Sequence, residues 1–334
     1  MTEYTSIENV LPSPEDGRDY IYQHTTTSAI SPVVDLIPQI HEVENQAATN
    51  SCTANAGCTA LEILYSRAGN WKDFSRMYLY WYTRKLGYLP EGDVGAYPRD
   101  ICKALNLYGV PFETKWPFIH QNISLEPSMP VREFAQDFKI QEYRKVLPNI
   151  DDIRNAILNG LPVLTTMKTR SSFYGVKGDW RTHYWDSNSK DNGNHEVVIV
   201  GFCDKSERFL TQNSWGSKWA DDGFFGFPYG KVGTGKDAFE FWVITDPGFD
   251  VVPFEDAEIL DADYYNPSEY SDSEVAPRKD YRNLPVIDKV EPEVILDVPE
   301  PEPKEEKKST RTVNAIDYLG IAFAIGIILY FFLK

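Results

Sequence analysis

The chain has 334 residues, enough for one large domain or two ordinary ones with a real hydrophobic core. Its net charge of −17 is uneven, because residues 247–306 hold 18 acidic and only 5 basic side chains. No basic stripe is present that could neutralise phosphates, so the composition argues against a nucleic-acid partner. An aromatic content of 14% favours a packed globular enzyme over a disordered scaffold.

The cysteines indicate a reducing compartment for the bulk of the chain. Cys52, Cys58, Cys102 and Cys203 are scattered without a CxxC pair, which is the spacing of neither a disulfide framework nor a zinc site. The N-terminal stretch also lacks the apolar segment of a secretory signal. We therefore expect no metal and no cofactor.

The chain begins with a polar stretch, residues 1–31, that predicts an extended N-terminal arm before a compact domain at residues 32–246. Apolar positions at helical spacing predict a helix that begins at Cys52, with Ser51 as its N-cap. Other segments combine helical spacing with an aromatic stripe or a terminal glycine. These predicted helices cover 74–82, 99–108 and 151–159.

Beyond residue 160 the pattern changes to short β-branched or aromatic runs between turn residues, which predict strands. These runs cover 163–167, 196–202, 208–213 and 223–227. Helices first and strands afterwards predict an α+β fold of two lobes, not an alternating βαβ sheet.

Cys52 is the first candidate for chemistry. A thiol in the first turn of a helix lies at the positive end of the helix dipole, which favours the nucleophilic thiolate. The alternative for any single cysteine is a small buried hydrophobic residue with no chemical role.

His195 is the second candidate, because it precedes the apolar strand run and follows a polar loop. Eighteen residues later the chain reads Gln212-Asn213-Ser214-Trp215-Gly216. An amide that binds one imidazole nitrogen fixes the tautomer and leaves the other nitrogen to act as a base. The alternative is a structural histidine satisfied by its neighbours.

Together these segments resemble a papain-like cysteine peptidase. The glutamine-to-cysteine stretch, His195 and the QNSWG run occur in the family's order, and Cys52 and His195 are 143 residues apart. The spacing expected for the family is ~130–150. Flanking stretches agree, so that the resemblance covers residues 31–246, and the SCTANA sequence around Cys52 is similar to members from bacteria and large DNA viruses.

The resemblance implies an α+β fold with an N-terminal helical lobe and a C-terminal antiparallel β lobe, and a protein or peptide substrate. It implies that Cys52 is the nucleophile, resting with His195 as a thiolate–imidazolium pair, and that Asn213 orients the imidazole. Gln46 and the Cys52 N–H would form the oxyanion hole, and Trp215 would shield the His195–Asn213 contact. The substrate-binding edge of the cleft would be Gly95, Ala96, Tyr97 and Pro98.

The sequence departs from the family at several positions. Thr53 stands where a tryptophan usually follows the nucleophile, and Thr49 replaces a cysteine, so that a disulfide that braces a lobe is missing. Glu196 occupies a usually small position in the second specificity pocket, and either favours a basic P2 residue or turns to solvent or a lysine. About 30 residues precede the domain, too few for the inhibitory pro-domain of secreted relatives.

The C-terminal part predicts a membrane attachment. Residues 247–312 are rich in Asp, Glu and Pro and predict a disordered stalk. In the anchor segment 313–334, residues 315–333 carry one charge and would span ~28 Å as a helix, close to the ~30 Å hydrocarbon core. Basic residues before this span place the domain in the cytosol. The membrane would be cellular or, for a viral protein, that of the host cell or virion; an amphipathic or protein-buried helix is the alternative.

The sequence therefore predicts a thiol endopeptidase tethered to a membrane. The alternative is a catalytically inactive papain-like scaffold that recruits partners at a membrane. A transferase that uses the same thioester is a lesser alternative.

Overall fold

The structure is a computed structural model that describes residues 10–23, 33–89, 92–183, 186 and 188–250. Its α-helices precede most of its strands, as the sequence predicts. The α-helices are α1 (Cys52–Arg67), α2 (Arg76–Leu86), α3 (Pro98–Tyr108), α4 (Met129–Ala135) and α5 (Ile150–Leu158). The strands are β1 (Val33–Asp35), β2 (Glu142–Lys145), β3 (Val163–Arg170), β4 (Asp191–Cys203), β5 (Arg208–Gln212), β6 (Phe224–Pro228) and β7 (Ala238–Asp246).

The seven strands form one antiparallel sheet in the order β2-β7-β3-β4-β5-β6, with β1 paired to β4. The sheet and the preceding helices make an α+β fold, as predicted. β4 is the longest strand and pairs with three others, so that residues on it have fixed positions. In this pairing His195 lies opposite Met167 of β3.

Helix α1 is the central helix of the described domain. Every residue from Cys52 to Tyr65 is buried, and the helix packs against β4 as well as α2. Small alanine side chains let its backbone approach the sheet closely. Ser51 occupies the N-cap position as predicted, but its side chain makes no capping hydrogen bond to the helix. Its hydroxyl instead meets Thr49 Oγ1 (2.7 Å) and accepts from Asn55 Nδ2 (3.0 Å).

Two segments differ from the sequence prediction. β4 begins at Asp191 and includes residues predicted as a loop before His195, because β3 continues to Arg170 and supplies the pairing partners. The short α4 and β2 carry no pattern strong enough to have been predicted. The compact part also continues to Phe249, whose ring packs on Tyr65 with centroids 4.4 Å apart.

The predicted stalk beyond residue 250 and the predicted membrane anchor, 313–334, lie outside the described residues. Within the described ranges, no helix combines the length and the apolar character needed to cross a bilayer.

Candidate active site

The segment before Cys52 is tied directly to the segment that follows β5. The Gln46 N–H donates to the Ser214 carbonyl (2.8 Å), and Asn45 and Trp215 form an isolated antiparallel bridge. These contacts join residues about 170 positions apart. They hold the N-terminus of α1, where Cys52 is the first residue, next to the loop that carries Asn213. The sulfur of Cys52 therefore lies at the positive end of a 16-residue helix.

The hydrogen bonds of Asn213 determine the tautomer of His195. The Ser214 N–H donates to Asn213 Oδ1 (2.8 Å), which identifies this atom as the acceptor oxygen. The proton in the 2.7 Å contact between Asn213 Oδ1 and His195 Nε2 must therefore belong to the imidazole. The neutral ring keeps its lone pair on Nδ1, which is buried and has no hydrogen-bond partner among the described residues. This is the arrangement that a general base requires.

Trp215 lies beside the imidazole, as the sequence predicts. Its ring centroid is 5.2 Å from that of His195, and Phe173 and Trp219 pack on the indole at 5.3 and 5.2 Å. Since His195 is fully buried, desolvation lowers the pKa of its imidazole from 6.5 to about 4. Burial therefore disfavours the charged form of this ring, and the thiolate–imidazolium pair stays a prediction.

Gln46, six residues before Cys52, is fully buried. Its Oε1 accepts from Ser214 Oγ (2.5 Å), and its Nε2 donates to the Thr49 carbonyl (2.7 Å). An amide nitrogen carries two protons, so that one donor remains for a developing oxyanion beside the Cys52 N–H. The hydroxyl of Ser214 orients the Gln46 amide, a role that was not predicted from the sequence.

The candidate substrate edge is held from behind by Tyr80 and Asp93. The Gly95 N–H donates to the Tyr80 hydroxyl (3.0 Å), which in turn donates to Asp93 Oδ1 (2.8 Å). Asp93 Oδ1 also accepts from the Asn50 N–H (2.8 Å), and Asn50 Nδ2 donates to the Asp93 carbonyl (2.7 Å). Gly95 is thus connected to a residue two positions before Cys52.

This network joins the two loops by hydrogen bonds, in a chain whose four cysteines form no disulfide bond. Ala96 is fully buried, Tyr97 is the N-cap residue of α3 and Pro98 is its first residue. The rigid start of α3 therefore fixes the far end of the edge. The network was not predicted from the sequence, where its only signal is the turn-forming run Gly92-Asp93-Val94-Gly95.

The side chain of Glu196 is buried. It therefore neither turns to solvent nor, among the described residues, pairs with a lysine, which were the two alternatives to a role in specificity. Its Oε2 accepts from Thr166 Oγ1 (2.5 Å), while its Oε1 has no hydrogen-bond partner within the described ranges. Burial raises the pKa of this carboxyl well above its usual value, with a smaller contribution from Glu240. A neutral carboxyl is therefore favoured at this buried position.

The described part of the N-terminal arm lies against the same site. The Val10 N–H donates to the Asn194 carbonyl (3.3 Å) and the Leu11 N–H to the Ala96 carbonyl (3.4 Å). Asn194 Nδ2 donates to the Val10 carbonyl (3.0 Å). These contacts were not predicted from the sequence, where their only signal is the apolar pair Val10–Leu11 in a polar stretch.

Other candidate groups have structural partners. His183 Nε2 contacts the Gly178 carbonyl (2.8 Å) and its Nδ1 accepts from the Gly226 N–H (3.2 Å). His41 Nε2 lies 3.1 Å from Ser66 Oγ, and its ring lies 4.7 Å from that of Trp71. Among the described residues, no group of three or more His, Cys, Asp or Glu side chains could hold a metal ion.

Comparison with known proteins agrees with this geometry. The profile of the papain family cysteine proteases matches residues 34–238. An uncharacterised peptidase C1-like protein of Acanthamoeba polyphaga mimivirus is 31% identical over 226 residues, which cover 63% of this chain and 73% of the relative. Cysteine proteinase 2 of Entamoeba histolytica is 28% identical over 196 residues, 56% of this chain and 59% of that protein.

Solved structures show the same fold. Xylellain, a cysteine protease from Xylella fastidiosa, superposes with a TM-score of 0.67 at 29% identity, over 72% of this chain and 97% of its own. The proCathepsin B S9 structure from Trypanosoma congolense, at 14% identity, superposes with a TM-score of 0.60 over 74% of this chain and 87% of that one.

Proposed function

Because the chain belongs to the papain family and is a cysteine-type peptidase, we propose that it cleaves peptide bonds within protein substrates through a thioester on Cys52. The observation that carries this assignment is the His195–Asn213 hydrogen bond. With the amide oxygen fixed by Ser214, it leaves the lone pair of Nδ1 available as the base. A scaffold without activity has no chemical need for that arrangement.

In this mechanism, Nδ1 of His195 takes the proton of the Cys52 thiol, and the sulfur attacks the carbonyl carbon of the scissile bond. The tetrahedral intermediate collapses as the C–N bond breaks, and the imidazolium gives its proton to the leaving amine. Water, deprotonated by the same nitrogen, then attacks the thioester. The C–S bond breaks, the acid product leaves, and the proton returns to the sulfur.

Gln46 supplies the oxyanion donor in this proposal, together with the Cys52 N–H. Its position rests on the 2.5 Å contact with Ser214 Oγ and the 2.7 Å contact with the Thr49 carbonyl. One such preorganised donor is worth roughly 3 kcal/mol of transition-state stabilisation.

Labelling with an epoxysuccinyl thiol inhibitor tests the assignment. We expect stoichiometric labelling and peptide hydrolysis by the wild-type chain, both lost in Cys52→Ala. The matched control is Cys58→Ala, since Cys58 is a free, buried cysteine on the same helix. A wild-type chain that neither reacts nor hydrolyses peptides supports the inactive scaffold instead. Amide products that accumulate when amine nucleophiles are added would support a transferase.

We propose that Glu196 favours a basic P2 side chain. Its Oε1 is buried without a partner among the described residues, and its pKa is raised by burial, so that an arriving cation would draw the carboxyl into its charged form. A peptide library should show P2 arginine or lysine preferred by the wild type and the preference reduced in Glu196→Gln. A profile restricted to bulky apolar P2 residues in both proteins would contradict this role.

We also propose that residues 315–333 anchor the protein in a membrane, with the acidic segment 247–312 as a stalk and the peptidase domain in the cytosol. The support is the sequence alone, 19 residues with one charge, Asp317, preceded by a basic cluster. Carbonate-washed membranes should retain the full-length chain and release a chain truncated before Ala315. Equal release of both would contradict the anchor.

A further inference from the structure

The N-terminal arm touches both sides of the cleft, by which we mean the space between the substrate edge at Ala96 and Asn194, the residue before His195. Val10 and Leu11 donate their backbone N–H groups to the carbonyls of Asn194 and Ala96. From these contacts we propose that residues 10–13 are a retained, displaceable strap. The strap holds the peptidase in a closed state and yields to substrate by competition, without being removed. The proposal rests on the peptidase function proposed above.

The strap occupies groups that a peptide substrate would use. An extended peptide that binds beside His195 needs backbone acceptors along both walls of the cleft, as in the addition of a strand to an exposed edge. Both acceptors are already bonded to the strap, and Val10 is only 2% exposed. Cys52 and His195 are buried as well, so that the closed state offers a protein substrate no access to the sulfur.

Two further contacts hold Ser13, the last residue of the strap. The Ser13 N–H donates to Glu240 Oε1 (2.5 Å), and its hydroxyl accepts from the Arg99 N–H at the start of α3 (3.1 Å). These contacts connect β7 to α3 across residue 13. The strap is therefore seated on both the helical and the sheet side of the domain.

The following residues of the arm belong to the folded domain and tether the strap. The Lys145 N–H donates to the Tyr20 carbonyl, and the Tyr22 N–H donates to the Lys145 carbonyl, both at 2.8 Å. The Tyr22 ring is part of the hydrophobic core, and its hydroxyl donates to Asn155 Oδ1 (3.2 Å). Asp19 pairs with Arg99 at 3.1 Å, with both side chains largely buried. This tether keeps residues 10–13 near the cleft at a high effective concentration.

The cleft contacts themselves are weak in comparison. The two backbone hydrogen bonds of Val10 and Leu11 are 3.3 and 3.4 Å long, beyond the usual range, and the Leu11 side chain is 37% exposed. The other strap contacts, Asn194 Nδ2 to the Val10 carbonyl and the Ser13 N–H to Glu240, are shorter, so that the long bonds at Val10 and Leu11 are the weakest and can open while the tether stays in place. This asymmetry favours reversible displacement over a mechanism that must remove the arm.

Proline substitution tests the strap without disturbing the tether. Leu11→Pro removes the N–H that binds Ala96, and the double variant with Ser13→Pro also removes the donor to Glu240. Arg18→Ala is the matched control, since its exposed side chain forms an ion pair with Asp16 of the same arm and contacts neither wall of the cleft among the described residues. Full-length proteins are assayed with a short fluorogenic peptide, and mass spectrometry verifies that the N-terminus stays intact during turnover.

We expect Leu11→Pro to lower KM by roughly 10-fold with little change in kcat, because a competitor is weakened. The double variant should lower KM further, and Arg18→Ala should match the wild type. Unchanged KM in both proline variants would overturn the strap. So would a wild-type chain that hydrolyses the peptide only after its first residues have been cut off.

A second measurement separates failure of the strap from failure of the peptidase assignment. In Cys52→Ala protein, hydrogen exchange at the amides of residues 10, 11 and 13 should be slower than in a free peptide. Leu11→Pro in the same background should accelerate exchange at residues 10 and 13. If these amides already exchange as fast as in a free peptide when Leu11 is unchanged, the strap is overturned, whether or not the chain hydrolyses peptides.

Discussion

Removal of the Asp93 carboxylate should loosen the substrate edge more than it damages the catalytic groups. The carboxylate oxygen Oδ1 accepts hydrogen bonds from the Asn50 N–H and the Tyr80 hydroxyl, both at 2.8 Å. In Asp93→Ala the Tyr80 hydroxyl loses its acceptor, although it still holds the Gly95 N–H. Gly95 and the adjacent Ala96 should then become mobile relative to the segment that carries Cys52.

The magnitude follows from the two lost contacts. A hydrogen bond to a charged group contributes about 1.5–3 kcal/mol when buried, and less at a partly exposed site such as Asp93. We therefore expect a loss of about 2 kcal/mol in the free energy of unfolding. Because substrate binding uses the Ala96 edge, KM for a peptide should rise roughly 10-fold while kcat changes little.

Urea unfolding in a Cys52→Ala background measures the stability term, and steady-state hydrolysis by otherwise wild-type protein measures KM and kcat. A double-mutant cycle with Tyr80→Phe should give a coupling of about 1 kcal/mol, since the two groups share a hydrogen bond. Asp137→Ala, at an exposed position, is the matched control. Additive effects of the two substitutions, or a fall in kcat with KM unchanged, would refute the proposed connection.

Three further results are expected. Burial lowers the pKa of His195 from 6.5 to about 4, so that the unfolded chain binds more protons than the folded chain between these pH values. The free energy of unfolding of the wild type, measured with urea, should therefore decrease as the pH is lowered from 6.5 to 4. In His195→Gln the decrease should be smaller. Ser214→Ala removes the hydroxyl that orients Gln46 and should lower kcat roughly 10-fold with KM unchanged, whereas a KM effect alone would count against that role. Gly109→Ala should destabilise the fold by about 2 kcal/mol or more, since Gly109 has φ +66° and a Cβ there would lie 1.9 Å from the Ala135 carbonyl oxygen. Gly69→Ala is the control, because Gly69 has φ +70° but open space around it, and thermal unfolding should show a smaller loss of stability.

The α+β class and the helical segments could be predicted because they depend on local pattern. α1 begins at Cys52, α3 ends at Tyr108 and α5 lies within one residue of its predicted position. β4 was predicted to begin five residues after its actual start, because its first residues are polar and become a strand only through pairing with β3. Strand ends of this kind depend on a partner that the local sequence does not reveal.

The geometry brings His195, Asn213 and Gln46 into one connected set, as the sequence motif predicts, with Ser214 as the shared partner. The orientation of Glu196 could not be predicted in the same way. On a strand, adjacent residues point to opposite faces, but which contacts each face finds depends on the neighbouring strands. Here Thr166 of β3 binds the carboxyl, and neither solvent nor lysine does.

The sequence by itself determined the fold class, the family and the order of the chemical groups, because these follow from residue identity and spacing. Only the tertiary structure decided that Asp93 connects the substrate edge to the segment before Cys52 and that Val10 lies against Asn194. Each contact joins distant segments: the Asp93 carboxylate accepts from the Asn50 N–H, and the Val10 backbone meets Asn194 across 184 residues. Every non-proline residue carries the backbone groups that Val10 uses, and the Asp93 carboxylate meets a backbone N–H 43 positions away, so that local sequence predicts neither contact. Packing of the helices on the sheet selects which of these groups meet.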